Sequence, residues 1–401
     1  MTTPSSTSPL LPLEGVVVVA LEQAVAAPLA TRHLADLGAT VIKVERVGEG
    51  DFARAYDATV RGVASHFVWL NRGKRSVEID LKSPEGLTLV ERLVAEADVF
   101  VQNLAPGAAE RLGLGGQQLR ERDERLVVVN LSGYGSSGPR ADRKAYDMLV
   151  QAESGLVSIT GTPEQATKTG IPTADIAAGM YVLTSVLSAL YRRERTGQGA
   201  LVEVSMFDST VEWLGHPMYV QMYDDRQLPR MGLSHAAIAP YDAYPTSDGQ
   251  VLVGVQNDRG WQALCAEVLD DPALAADARF TTNVLRVAAR AECDAEVARR
   301  TVAWSTDELE ERLAAAGVAA AQVNDMAGLV EHPQLAARDR WRKVGTEGGQ
   351  VEALLPPMTF DDVELVMGDV PALGQDTGDV LAGIGITPQD LAELRAARVV
   401  G

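Results

Sequence analysis

Short apolar runs alternate with helical patterns over the first 131 residues, and this alternation restricts the possible folds more than any other feature. Runs typical of buried strands lie at residues 15–21, 40–45, 76–81, 98–103 and 126–131. Segments with helical spacing separate them, at 28–37, 85–96 and 106–121. Strands that alternate with helices form a mostly parallel sheet with helices on both faces. The sequence therefore predicts the α/β class.

The pattern changes after Asp224, where a second domain is expected. Long helices are predicted before that point, near 175–194 and 205–223. Beyond it, the sequence predicts a hairpin over 244–255 that turns at Asp248-Gly249, helices near 261–269 and 306–315, and a strand at 318–323. We expect a flexible leader (1–12), a large α/β domain (13–224), a smaller α+β domain (225–325) and a return segment that completes the large domain (326–401).

The charge and composition exclude several classes of partner. A net charge of −19 would repel nucleic acid or an anionic membrane over most of the surface, although a local basic pocket could still bind a small anion. Two cysteines, Cys265 and Cys293, predict neither a disulfide framework nor a cysteine metal site, and they fit a reducing cytoplasm. The apolar stretch from Met180 to Tyr191 is too short and too polar for a membrane span, and is interpreted as a buried helix.

Asp175 stands where a long apolar helix is predicted to begin. It follows Pro172 and Thr173 and precedes small residues, so a ligand can approach its carboxylate closely. An aspartate near a helix start usually caps the helix or interacts with its dipole. The alternative is a carboxylate nucleophile that attacks a thioester. Spacing alone favours the cap.

The stretch 144–208 resembles the core signature of the class III CoA-transferase family, of the formyl-CoA and carnitine-CoA transferase type. Other segments that resemble the family are VVVVALEQAVAAPLATRHLADLGATVIKVERVGEGDFAR, WLNRGKRSVEIDLKSPEG, ADVFVQNLAPGAAERLGL and VVVNLSGYGSSGP. The resemblance is continuous over roughly the first 215 residues and weaker beyond them.

This resemblance implies a Rossmann-like large domain and an interlocked homodimer. It also implies that Asp175 attacks an acyl-CoA to form a mixed anhydride and then an aspartyl-CoA thioester. An acceptor carboxylate would reverse these steps. No metal or organic cofactor would be needed, because the coenzyme A thioester is itself a substrate.

Matching positions in the family imply a CoA site that contains Arg46, Lys74, Arg75, Lys144 and Tyr146. Tyr146 also separates two branches of the family, since the α-methylacyl-CoA racemases carry a histidine base at this place. A tyrosine has an ordinary pKa near 10 and is a poor base at pH 7. Tyr146 therefore favours a transferase over a racemase.

The substrate region departs from the formyl-CoA transferases. Val25 stands where they have a glutamine, and no glycine run occurs around Arg230 and His235, so oxalate and formate are not expected. The chain looks most similar to transferases of small dicarboxylates such as itaconate, mesaconate and malate, with succinyl-CoA as donor. Arg230 and His235 are candidate ligands for the second carboxylate. The remaining alternatives are intramolecular CoA transfer, racemisation, and acyl-CoA binding without catalysis.

The other histidines do not indicate a metal site, because they are scattered through the sequence. They are His33, His66, His216 and His332.

Overall fold

The protein, seen as a computed structural model, is described over residues 10–401 and divides into two compact units. The large unit contains the described residues up to Leu156, together with 169–216 and 339–401, and the small unit contains 157–168 and 217–338. Most of the predicted leader lies outside the described residues. The small unit extends beyond the predicted range 225–325 at both ends. One reason is that Arg230 donates hydrogen bonds to the carbonyls of Thr162 and Pro163, which holds the 157–168 segment against it.

The large unit is built on a six-stranded, wholly parallel sheet. Its strands are β1 Val17–Leu21, β2 Thr40–Glu45, β3 Lys74–Glu78, β4 Val99–Gln102, β5 Val127–Ser132 and β6 Leu201–Ser205. Their order, β3-β2-β1-β4-β5-β6, confirms the Rossmann-like expectation. The order reverses between β1 and β4, and the carboxyl ends of these two strands are where a ligand is expected.

Helices cover both faces of this sheet and form most of the small unit. The first ten are α1 Ala26–Asp36, α2 Ser65–Asn71, α3 Pro84–Ala95, α4 Ala108–Arg111, α5 Gly116–Arg122, α6 Asp147–Glu153, α7 Leu156–Ile159, α8 Thr173–Thr196, α9 Met206–Trp213 and α10 Gly215–Asp224. The later ones are α11 Asp258–Ala263, α12 Pro272–Ala275, α13 Asn283–Ala288, α14 Arg290–Thr301, α15 Thr306–Ala315, α16 Met326–Val330, α17 Pro333–Ala337, α18 Thr377–Gly383 and α19 Pro388–Ala396.

Two long predicted helices are each divided in the structure. The predicted helix 106–121 becomes α4 and α5, because Gly113 between them has a left-handed backbone (φ 74°) that ends the first helix. The predicted helix 205–223 becomes α9 and α10, which meet at Leu214. Strand β6 was not predicted. Only its last two residues are buried, so it lacks the apolar run of a central strand.

The apolar core of the large unit has two layers, one on each face of the sheet. Helix α8 lies in one layer and packs mainly along α1. Among residues 10–401 it is the one helix long and apolar enough to cross a membrane, and half of its most apolar window is buried (50%). This burial is typical of a core helix and agrees with the interpretation of 180–191.

The small unit contains the antiparallel sheet β7 Tyr241–Pro245, β8 Gln250–Gly254 and β9 Ala319–Gln322. The predicted hairpin is confirmed, with the amide of Thr246 donating to the carbonyl of Gly249 across the turn (2.9 Å). The buried side chains of this unit pack around Trp261 in a core of its own. A further hairpin in the large unit, β10 Trp341–Val344 and β11 Val351–Leu354, was not predicted.

Candidate active site

Asp175 lies in the first turn of α8, half-buried at the surface of the large unit. None of the described residues 10–401 donates a hydrogen bond to its carboxylate, so both oxygens can react with a ligand. Asp175 therefore does not cap its own helix, although spacing alone favours that role. Another residue supplies the cap.

Asp147 caps α8 from the neighbouring helix α6. Its Oδ1 accepts hydrogen bonds from the backbone amides of Ala174 (2.8 Å) and Asp175 (3.2 Å), while Pro172 at the N-cap position supplies no side-chain bond. The amides at a helix start normally favour a nearby negative charge. Asp147 already accepts hydrogen bonds from two of these amides, so they stabilise the negative charge of the Asp175 carboxylate much less.

Burial and the Asp147 charge together raise the pKa of Asp175 from 3.8 to about 7. A carboxylate of higher pKa holds its electron pair less tightly and is a stronger nucleophile when ionised. Carboxyl groups perturbed to this extent are common at functional sites. The geometry therefore supports a reactive carboxylate at this position.

Gln151 holds the segment that leads into α8. Its Nε2 donates to Asp147 Oδ2 (2.6 Å), and its Oε1 accepts from the amide (3.1 Å) and hydroxyl (3.1 Å) of Thr169. The Thr169 hydroxyl lies 2.6 Å from that of Thr173, the first residue of α8. Gln151 is fully buried, so this network fixes the start of the helix and with it the position of Asp175.

The first turns of α8 cross the start of α1. A Cβ on Gly179 would lie 2.6 Å from the carbonyl oxygen of Ala26, so the crossing requires glycine. Val25 and Leu29 pack there with Ile176, the residue after Asp175. The structure therefore brings Val25 next to the candidate nucleophile, as a buried side chain in apolar contact rather than as an exposed ligand.

Tyr56 interacts electrostatically with Asp175. Burial and the negative charges of Asp51 and Asp175 raise the pKa of the Tyr56 hydroxyl. The Tyr56 ring also contacts His66 edge-on at 5.5 Å between centroids. Tyr56 is nearly half exposed (49%) and Tyr146 is more than half exposed (64%), so both side chains are available to a ligand.

Tyr146 and Lys144 are positioned by the glycine loop after β5. A Cβ on Gly133 would lie 2.2 Å from the Cβ of Ala145, so the two backbones approach closely only because residue 133 is glycine. Lys144 is exposed, and Arg46, which follows β2, is exposed beside Glu49 (2.6 Å). Both cations follow the carboxyl ends of their strands, on the edge where a ligand is expected.

Two of the predicted CoA residues lie elsewhere. Lys74 is completely buried, with its ammonium 2.6 Å from Glu22 and 3.0 Å from the carbonyl of Pro28. It is therefore not a surface cation in this structure, and its assignment to the CoA site stays a prediction. Arg75 is half exposed but stands near the amino end of β3, 4.0 Å from Asp376. It does not share the edge occupied by Arg46 and Lys144.

Arg230 and His235 belong to the small unit. Arg230 Nε and Nη2 are each 2.9 Å from a backbone carbonyl, of Thr162 and Pro163 respectively. His235 stacks on Tyr241 at 5.3 Å, and its Nδ1 accepts a hydrogen bond from the amide of Ala237 (3.1 Å). Both side chains have clear roles within their own loop, and their role as carboxylate ligands stays a prediction.

Sequence reasoning missed the residues that support Asp175. Asp147 and Gln151 are four residues apart on α6, a spacing that places them on one helix face and could have linked them. Tyr56 lies two residues after the GDFAR segment, which resembles the family but gave no role to this tyrosine. No local signal connects Asp147 to a helix that begins 26 residues later.

Comparisons with known proteins show the family of this chain. The family model described as CoA-transferase family III matches residues 13–377. The succinate–glutarate CoA-transferase of Agrobacterium fabrum is 34% identical over 92% of this chain and 95% of its own. The succinyl-CoA–D-citramalate CoA-transferase of Chloroflexus aurantiacus is 31% identical over 99% of this chain and 100% of its own.

A solved structure supports the same relationship. A CAIB/BAIF family protein from Brucella suis superposes with a TM-score of 0.83 at 36% identity, over 93% of this chain and 99% of that one. Together with the family model, which covers most of the chain, this similarity establishes the family that the sequence around Asp175 resembles. The chain is an enzyme of CoA-transferase family III.

Proposed function

We propose that this enzyme moves CoA from succinyl-CoA, or a similar small acyl-CoA, to a C4–C5 dicarboxylate such as itaconate, mesaconate or malate. The observation that carries the proposal is Asp175, whose unbonded carboxylate stands at the helix start with its pKa raised to about 7. Several relatives support the substrate class, since their names specify succinyl-CoA with glutarate, citramalate or mesaconate.

The proposed reaction consists of four acyl exchanges. An Asp175 oxygen bonds to the thioester carbonyl carbon and the C–S bond breaks, which gives a mixed anhydride and CoA thiolate. The thiolate attacks the aspartyl carbon, and the donor leaves as a carboxylate. An acceptor carboxylate then attacks the aspartyl thioester and releases the thiolate. Attack of the thiolate on the new anhydride forms the product thioester and restores Asp175. No proton is gained or lost overall.

Intramolecular CoA transfer between the two carboxyl groups of one dicarboxylate is the second candidate, because it uses the same four exchanges. Racemisation is less well supported. The residue at the position of the second racemase base is Tyr146, exposed at 64%, and a phenol is a poor base at neutral pH.

We also propose that the enzyme acts as a homodimer in the cytoplasm. Large apolar side chains are exposed on the outer face of the large unit, among them Tyr191 (65%) and Trp213 (50%), and a partner subunit would cover them. Cys265 and Cys293 are both buried and unbonded, which fits a reducing compartment.

The test is a CoA-exchange assay with succinyl-CoA and a panel of acceptors, read by mass spectrometry. The panel contains itaconate, mesaconate, malate, glutarate, oxalate and acetate. A new thioester from a dicarboxylate is expected, and hydroxylamine should convert Asp175 to a hydroxamate during turnover. Asp175→Asn should abolish both signals. Turnover without a hydroxamate would contradict the covalent mechanism, and exchange with acetate or oxalate alone would contradict the substrate class.

A further inference from the structure

Four charged side chains are completely buried beneath the loops that border Asp175. The ammonium of Lys43 lies 2.8 Å from Asp51 Oδ2 and 3.4 Å from Glu22 Oε1, and Lys74 lies 2.6 Å from the same Glu22 oxygen. All four side chains have no exposed surface (0%). Buried ion pairs seldom stabilise a fold more than apolar side chains of similar size would. The group therefore calls for an explanation other than stability.

Asp51 connects this buried group to the backbone of two loops. Its Oδ1 accepts hydrogen bonds from the amides of Ala24 (3.1 Å) and Ala53 (2.9 Å). Ala24 has a left-handed backbone (φ 65°), which is unfavourable for any residue other than glycine and persists only where the surroundings hold it. Ala53 lies in the single 3-10 turn Phe52–Ala55. One buried carboxylate thus holds a strained loop and a tight turn together.

These two segments lead directly to the surroundings of Asp175. Ala24 precedes Val25, which packs against Ile176 beside the nucleophile. The turn ends immediately before Tyr56, whose hydroxyl experiences the charge of Asp175. The two loops therefore each lead to a side chain that bears on Asp175: Val25 packs against Ile176, and the Tyr56 hydroxyl interacts with the Asp175 charge.

We propose that Asp51 is a positioning residue, which holds Val25 and Tyr56 in place relative to Asp175 through the Ala24 amide and the turn before Tyr56. The kcat measurement in the test of this proposal rests on the proposed function, whereas the hydrogen bonds of Asp51 do not. Lys43 pairs with the other oxygen of Asp51, Oδ2, at 2.8 Å and so holds the carboxylate in place. Although burial acts to lower the pKa of Lys43, the carboxylates of Glu22, Asp51 and Glu45 raise it above its ordinary value.

The test compares Asp51→Asn with the wild-type enzyme. Asparagine has nearly the same shape as aspartate but lacks the negative charge that pairs with Lys43. We expect hydrogen exchange to accelerate about tenfold in peptides covering 22–25 and 52–56, and kcat to fall about 100-fold, as for a small misplacement of reacting groups. Binding of a non-reactive CoA thioether should change less than twofold. Adding Ala24→Gly should restore part of kcat, because glycine adopts the positive φ without strain.

Asp98→Asn is the matched control. Asp98 likewise accepts a backbone hydrogen bond, from Val17 (2.8 Å), and pairs with Arg193 (2.9 Å), but it stands at the opposite end of the strands. This variant should lose stability and keep its kcat. Unchanged exchange in Asp51→Asn, or faster exchange with unchanged kcat, would overturn the proposal, and so would an equal loss of kcat in Asp98→Asn. A wild-type enzyme without CoA transfer would refute the proposed function, while the exchange data would still decide whether Asp51 holds the two loops.

Discussion

At the scale of single residues, Asp175 carries a conflict between stability and reactivity. Burial and Asp147 raise its pKa from 3.8 to about 7, so the folded chain holds this proton more tightly than the unfolded chain. Stability must therefore fall as the pH rises from about 4 to about 7, and the full cost is present above pH 7. This cost falls on the group that we propose as the nucleophile.

We predict that Asp175→Asn stabilises the protein at alkaline pH while it abolishes CoA transfer. Removing the ionisable group should raise the free energy of unfolding by about 1–3 kcal/mol at pH 8, less than the full shift would give because the side chain is only half-buried. At pH 3, below both pKa values, the gain should nearly vanish. Urea denaturation at both pH values tests this, and an equal gain at both would contradict the role of ionisation.

Asp147 should control the pH at which the enzyme becomes active. We expect kcat/KM to rise with pH through a midpoint near 7, as Asp175 ionises. Asp147→Asn removes the charge but keeps an oxygen for the Ala174 amide, so the midpoint should move to lower pH. Glu153→Gln, on the same helix but paired with Arg140 (2.8 Å), is the matched control and should not shift it.

At the scale of elements, the crossing of α1 and α8 sets the position of the nucleophile. Gly179→Ala would place a methyl group 2.6 Å from the Ala26 carbonyl oxygen and force the helices apart. We expect a loss of about 1–3 kcal/mol in stability and a large fall in kcat. Gly383→Ala, in α18, has no atom within 4 Å of the added carbon and should change neither quantity. Equal effects of the two substitutions would show that helix crossing is not the cause.

Elements with a strong local pattern were predictable, and contacts between distant segments were not. The central strands β1, β2, β4 and β5 were located within about two residues, because each is a continuous apolar run. The caps and loop anchors depend on pairs such as Asp147 with Ala174 and Asp51 with Ala24, which only the fold brings together. Lys74 is instructive, because β3 begins at Lys74 rather than at residue 76 as predicted, and only this earlier start makes Lys74 and Arg75 point in opposite directions by strand alternation.

At the scale of the whole molecule, the net charge makes the CoA site depend on a few cations. Since CoA is anionic and the chain carries a charge of −19, Lys144→Glu should weaken CoA binding by about tenfold, and more at low salt. Isothermal titration calorimetry measures this. Arg338→Glu, an exposed substitution in the small unit, makes the same charge change and should have little effect.

The proposed homodimer can be tested in the same preparation. Sedimentation velocity should give twice the mass of one chain at micromolar concentration. Trp213→Asp places a charge on the exposed apolar surface and should shift the protein toward monomer, whereas Val284→Asp, at an even more exposed position (76%) in the small unit, should not. A wild-type monomer would contradict the proposal.

The division of the chain between the units also affects the order in which they can form during synthesis. Residues 217–338 supply nearly all of the small unit as one uninterrupted piece, so its contacts can form soon after it leaves the ribosome. The large unit needs segments on both sides of that piece, and residues 339–401 are made after it. Contacts between residues far apart in sequence form slowly. Part of the apolar surface of the nascent large unit must therefore stay uncovered until residues 339–401 have been made.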